Sequence, residues 1–411
     1  MKNKQFILLL ALIFSQSIAY GQFKIQKGIW RATLLRDGHE LPFGFDIQPN
    51  ADGKTYRVLA INGAERLAMD TAYVERDSLH IPMKLYDSDV VVSVQNNSMT
   101  GIWKKYRSAK EVVTLPFRAT FGRFYLFNAT NKPANANLTG KWSATFKNVE
   151  TGKENATVGL FEQQGTKLTG TFLSSTGDYR YLAGDVVGDS LFLACYDGSH
   201  AFLFKAKKQE DGTLKGGFWS GISGFQTWTA RPNPTASLPD ANTLTYLKPG
   251  YESVGFSFPD ASGKMISLKD PRFENKVTVV QIMGSWCPNC MDESNFLAPW
   301  YLKNKNRGVE IVGLSFEKSD KLTESAPKIR RMTDRLKITY PVLLAGKNDA
   351  TASKSLPMLN QIMGYPTTIF IDKKGKVRQI HTGFSGPGTG KYYDEFVQEF
   401  NQFIDKLCNE K

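Results

Sequence analysis

Two cysteines set two residues apart, in Trp286-Cys287-Pro288-Asn289-Cys290, are the residues of this chain best spaced to do chemistry. Thiols at that spacing can close a small ring through a disulfide and reopen it, the geometry of reversible thiol–disulfide exchange. The apolar run over 277–283 that precedes them reads as a buried strand, Gly284-Ser285 as a turn, and 291–301 as a helix. Cys287 is thereby expected at a helix N-terminus, where free N–H groups and the macrodipole favour a thiolate. A zinc site would need a second pair of ligands. Cys195 and Cys408 are isolated, and His39, His80, His200 and His381 are scattered, so neither metal nor cofactor is expected. A purely structural disulfide would close a loop too short to restrict the unfolded chain by much.

A second motif stands downstream. Gly364-Tyr365-Pro366-Thr367-Thr368 leads into Ile369-Phe370-Ile371-Asp372, and Lys373-Lys374-Gly375-Lys376 turns the chain into another strand over 377–381. With these motifs residues 251–411 resemble a thioredoxin-fold domain, and more narrowly the TlpA/ResA-like thiol–disulfide oxidoreductases of the bacterial envelope. The resemblance implies that Pro366 is cis and faces the cysteines, and that the backbone of Tyr365 pairs with an extended substrate strand. It implies that Trp286 shields one flank, and that Glu293, six residues after Cys287, accepts or returns a proton. Cys287 would attack a substrate disulfide, and Cys290 would resolve the mixed disulfide. Gln281 departs from the pattern: many thioredoxins carry a buried aspartate there, and an amide takes no proton. Asp292 is expected to be exposed near the helix start, where it complements the dipole.

The rest of this region predicts a strand over 309–316, a charged helix over 321–336, a strand over 339–344, a short helix over 359–362 and an amphipathic helix over 392–407. Alternating strands and helices imply an α/β domain with a mostly parallel sheet covered on both faces.

Upstream the chain is duplicated. Gly28-Ile29-Trp30 matches Gly140-Lys141-Trp142, Asp77-Ser78-Leu79 matches Asp189-Ser190-Leu191, Tyr86-Asp87 matches Tyr196-Asp197, and Gly101-Ile102-Trp103 matches Gly217-Phe218-Trp219. These matches keep their order at near-constant spacing, a repeat signature. The organisation predicted is one β repeat over 22–130, a second over 138–230, a stiff Pro-rich linker over 231–250 and the redox domain over 251–411. Short alternating strands and Gly/Asp/Asn turns make both repeats all-β, as meander sheets, small barrels or one shared sandwich. The opening Gly-x-Trp weakly resembles the first strand of lipocalin-like barrels. Asp197, Ser199 and His200 do not read as a triad, because on a strand His200 would face away from the other two. The region is expected to bind or dock a partner or the cell wall, or else to act as a spacer.

Lys2 and Lys4, the apolar stretch over 6–14 and Ala19-Tyr20-Gly21 read as a signal peptide over 1–21, with cleavage after Gly21 and no cysteine for a lipid anchor. The expected location is the periplasm, with possible peripheral membrane contact. The net charge of +13 is dispersed rather than clustered, so nucleic acid is not an expected partner. Disulfide-containing envelope proteins and a membrane electron donor are. The preferred activity is disulfide reduction. Oxidase or isomerase activity, a thiol peroxidase on the same fold, and a surface binding protein with a regulatory redox pair remain alternatives. The Pro and Thr of the usual peroxidase motif are missing before Cys287.

Overall fold

The computed structural model describes residues 25–107 and 111–410. Residues 1–21, expected to form a signal peptide, lie outside these. Among the described residues no helix is long and apolar enough to cross a membrane.

Each repeat forms its own closed barrel, not half of a shared sandwich. The first contains Gly28–Arg36, His39–Pro49, Thr55–Asn62, Ala72–Glu75, Ser78–Met83, Ser88–Gln95, Ser98–Tyr106 and Val112–Phe121 in an antiparallel ring, with Glu65–Ala68 branching from Thr55–Asn62. The seam is the pairing of first and last strands, from Trp30 opposite Phe121 to Leu34 opposite Phe117. The second barrel repeats this plan between Gly140–Asn148 and Gly224–Pro232, with Gly177–Asp178 as its branch. Closure removes the exposed sheet edges that would otherwise pair with other chains.

Side-chain alternation fills the interiors. In Val112–Phe121, Leu115, Phe117 and Ala119 point inward while Thr114, Pro116 and Arg118 face out. The second interior is aromatic: Phe204 stacks on Phe218 at 4.2 Å, and Phe146 meets Phe172 at 5.1 Å. The repeated tryptophans play equivalent parts. Trp30 Nε1 donates to Gln26 O and Trp142 Nε1 to Leu138 O, each at 2.9 Å. The barrels meet where Tyr196 stacks on Phe43 at 4.3 Å and Asn62 exchanges two hydrogen bonds with the Tyr196 backbone.

The C-terminal region folds around a five-stranded sheet. Its elements are β1 (Val277–Met283), α1 (Pro288–Asn304), β2 (Val309–Glu317), α2 (Leu322–Leu336), β3 (Val342–Lys347), β4 (Thr367–Ile371), β5 (Val377–Thr382) and α3 (Lys391–Asn409). The order is β3-β2-β1-β4-β5. β1 and β3 run parallel to β2, whereas β4 is antiparallel to β1 and to β5, so the sheet is mixed rather than mostly parallel. Every residue of β1 and β2 is buried, as central strands covered on both faces require.

One further expectation is corrected. No helix forms over 359–362. Leu359 instead bridges to Leu247, and Asn360 N donates to Tyr246 O, so inter-segment pairing has taken the backbone groups a helix would use. The Pro-rich linker packs on the second barrel and on β5. Ala236 is buried against Val158 and Leu173, and the turn Ala241–Leu244, capped by Asp240, holds β5 through Asn242 Oδ1 to Gln379 and His381.

Candidate active site

β1 delivers the chain to the redox pair, and the turn between β1 and α1 is tied down by a buried carboxylate at the end of β2. Glu317 accepts from the Ser285 N–H at 2.9 Å, the Ser285 hydroxyl at 2.8 Å and the Ser315 hydroxyl at 2.6 Å. Trp286 Nε1 donates to Phe316 O at 2.9 Å, which holds its indole at the end of β2, 5.5 Å from the Tyr365 ring. Gly284 allows this fold-back, since a Cβ there would lie 2.3 Å from the indole nitrogen.

Cys287 is the N-cap of α1 and Pro288 opens its first turn, where a proline's missing N–H costs no hydrogen bond. The Cys290 N–H is directed at Cys287 Sγ at 3.3 Å, at the positive end of the helix dipole. The two thiols are free and their sulfurs lie 2.6 Å apart. Cys287 keeps 6% of its surface and Cys290 none. Burial, followed by the Cys287 sulfur, pushes the Cys290 thiol well up. One sulfur is thus presented at the surface of the site while its partner is held below in the protonated form.

The Tyr365–Pro366 bond is cis, and Tyr365 O lies 3.5 Å from Cys287 Sγ. Glu293, three residues beyond Cys290 and so on the same helix face, is buried. It accepts from Gln281 Nε2 at 2.7 Å and from the Thr368 hydroxyl at 2.6 Å. Burial pushes its carboxyl up to about 7, against the opposing pull of those two donors. Gln281 therefore cannot titrate but orients the group that can. The structure brings together Trp286, Cys287, Cys290, Glu293, Tyr365 and Pro366.

Asp292 is not exposed. Its carboxylate pairs with Arg180 of the second barrel, whose guanidinium also reaches Glu65 at 2.7 Å and Asp197 at 3.3 Å. The barrel segment around Arg180 lies directly on the redox motif. Asn289 Nδ2 donates to Asp178 O at 3.2 Å, and Gly386 N to Asp178 Oδ2 at 2.7 Å. Thr176 crowds Gly364 and Gly383, where an added Cβ would approach it to 2.4 and 2.9 Å. The backbone strip beside Pro366, expected to receive a substrate strand, is thus partly covered by the chain itself. The reading of Asp197 and His200 also changes. Residues 197–200 form a turn, not a strand, and His200 Nδ1 sits 3.0 Å from Asp197 Oδ2, while Ser199 turns toward Lys105.

Sequence reasoning missed Glu317, Thr176, Asp178, Arg180 and His200. For Glu317 a signal existed: a carboxylate at the end of a largely apolar strand, directly after Leu314-Ser315-Phe316. For the barrel residues there was none, because their role depends on how the barrels dock.

Residues 249–380 match the model of the AhpC/TSA family. The chain is 27% identical over 156 residues to the thiol-disulfide oxidoreductase ResA of Halalkalibacterium halodurans, covering 38% of this chain and 76% of that one. It is 25% identical over 137 residues to the thioredoxin-like protein YneN of Bacillus subtilis, covering 33% and 73%. Among solved structures, a thioredoxin-family thiol:disulfide interchange protein from Chlorobium tepidum aligns at 20% identity and a TM-score of 0.30, over 38% of this chain and 96% of that one.

Proposed function

We propose that this chain, whose C-terminal region is a thioredoxin-like domain of the thiol–disulfide oxidoreductase kind, is a disulfide reductant of the bacterial periplasm. The observation that carries this reading is the vertical arrangement of the two sulfurs: Cys287 capping α1 at the surface of the site and Cys290 fully buried beneath it. Cys287 attacks one sulfur of a substrate disulfide, and the leaving sulfur departs as a thiolate. Cys290 then attacks Cys287, closing the internal disulfide and releasing the second half of the substrate reduced. Glu293, poised by burial, takes the proton that Cys290 gives up. Pro366 and Tyr365 shape the approach to Cys287, and Trp286 walls its flank.

The basic and then apolar residues of the N-terminal stretch support export to the periplasm. Substrates are disulfide-bearing molecules of the envelope, proteins among them, and a membrane dithiol donor restores the reduced pair.

The deciding experiment is the reduction potential of the Cys287–Cys290 couple, equilibrated against dithiothreitol or glutathione. A value below about −220 mV supports the reductant assignment, and one above about −150 mV makes the protein a disulfide donor instead.

A further inference from the structure

Cys287 opens into a cavity of about 300 Å³ that the redox domain builds only in part. Trp286 and Tyr365 form one side. Thr176, Tyr179, His200 and Phe202 of the second barrel form the other. His200 is fixed there by Asp197 and by stacking on Phe202 at 4.3 Å. The wall is anchored from behind: Asp178 and Arg180, both buried, bind Gly386 and Asp292 of the redox domain.

Trp286 and Ser199 also line a second cavity, of about 240 Å³, which therefore adjoins the first. It is the first barrel that completes this one, with Tyr86 and Lys105. Three lysines line it: Lys105, Lys318 and Lys328. Its two carboxylates are already engaged. Asp87 pairs with Lys328 at 2.6 Å and Arg331 at 3.6 Å, and Glu317 binds Ser285 and Ser315. Lys105 donates to Ser199 O, at 3.2 Å, and Ser199 Oγ, at 3.5 Å, and lies 6.0 Å over the Tyr86 ring. Among the described residues neither Lys105 nor Lys318 has a carboxylate within ion-pair distance. Burial pushes the Lys105 ammonium down to about 8, so it still carries its charge at pH 7.

We infer that the adjoining cavities form one substrate site for a small anionic disulfide, its S–S bond presented to Cys287 and a carboxylate held by Lys105 and Lys318. Resting on the redox reading above, this narrows the substrate. An extended polypeptide would have to displace Thr176 and Asp178 from Gly364, Gly383 and Asn289, whereas a compact molecule enters the space they leave. The reaction balances without a further reactant. The Cys287 sulfur bonds to one substrate sulfur as the substrate S–S bond breaks. Cys290 then bonds to Cys287 and displaces the other half. Two electrons pass to the substrate, and the two protons lost by the cysteines match the two gained by the released thiols.

The test uses the full-length reduced protein and follows oxidation of its thiols by glutathione disulfide (anionic), 2-hydroxyethyl disulfide (neutral), cystamine (cationic) and insulin. The anionic probe is expected to react about tenfold faster than the cationic one, as a cavity of one charge sign steers its ligand. Combined Lys105→Met and Lys318→Met should bring the two charged probes to equal rates, with near-UV circular dichroism reporting whether the variant is folded. If the double variant does not fold, Lys318→Glu alone, at an exposed position, should reverse the preference. Equal rates for both charged probes, or insulin outpacing them, would overturn the inference while leaving the oxidoreductase assignment standing. No oxidation by any probe would remove both.

Discussion

Arg180 and Asp292 form an ion pair between the second barrel and the first turns of the redox helix, two residues beyond Cys290. The guanidinium is almost wholly buried and also serves Glu65 and Asp197, so one side chain joins both barrels to the redox domain. Burial would by itself drive that guanidinium down, but the three carboxylates around it hold it well above its ordinary range.

Arg180→Met should therefore be costly. It leaves buried carboxylates without their counter-charge, a loss of about 3–5 kcal/mol. Denaturant unfolding should report the loss, and limited proteolysis should show faster cleavage between the second barrel and the redox domain. An unchanged midpoint would mean that the cluster adds nothing to docking.

Cys290→Ser should trap the reaction halfway. With no resolving thiol, Cys287 stays bonded to the substrate half, and intact-mass analysis should find the adduct after mixing with a disulfide. Cys287→Ser should form no adduct, because the remaining sulfur has no exposed surface. An adduct on Cys290 in that variant would reverse the two roles.

Glu293→Gln should remove a pH dependence of stability. Burial raises the Glu293 carboxyl from an ordinary 4.5 to about 7, so between those values the folded protein retains a proton that the unfolded chain has released. Stability contributed by the neutral carboxyl is full below pH 4.5 and falls as pH rises toward 7. The variant, neutral throughout, should gain on the wild type across this window, reaching about 3 kcal/mol above it. Its rate of internal disulfide closure should also lose its inflection near pH 7. Parallel stability curves for the two proteins would show that Glu293 does not titrate there.

Gly177→Ala should loosen the barrel's hold on the redox motif. Gly177 has φ +144, which side-chain-bearing residues rarely adopt, and its added Cβ would fall 1.9 Å from Asn289 Nδ2. The Asn289 amide can swing aside, but only by leaving Asp178 O, and the backbone strain of about 1–3 kcal/mol remains. Faster alkylation of Cys287 by a bulky maleimide is the expected readout. Unaltered alkylation would show that this segment does not limit access.

The redox motif was legible because its signals are local. Strand β1 was readable from continuous apolar residues, and Cys287 at the helix start followed from the turn before it. Glu293 was placed by the resemblance to ResA-like proteins, which puts a glutamate six residues after the first cysteine. The repeat revealed two β units, because Trp30 and Trp142 recur in the same local pattern. What could not be read depends on contacts between segments far apart in sequence. Asp292 looks like a solvated helix residue until Arg180, 112 positions away, is docked against it. Residues 359–362 have a helical composition, yet Leu247 takes their backbone pairing. His200 was placed on a strand by carrying the pattern of 191–196 onward, past the turn signal Asp197-Gly198.

The two branch strands, Glu65–Ala68 and Gly177–Asp178, hold equivalent places in the two barrels, each grafted beside the third strand of its ring. They have parted company in what they serve: the first supplies Glu65 to Arg180, and the second lies against Asn289. The same repeated element thus serves as a brace in one barrel and as a threshold in the other. A redox domain cut free of both would keep its cysteines but lose its doorway, and its reactivity would describe a more permissive catalyst than the whole chain.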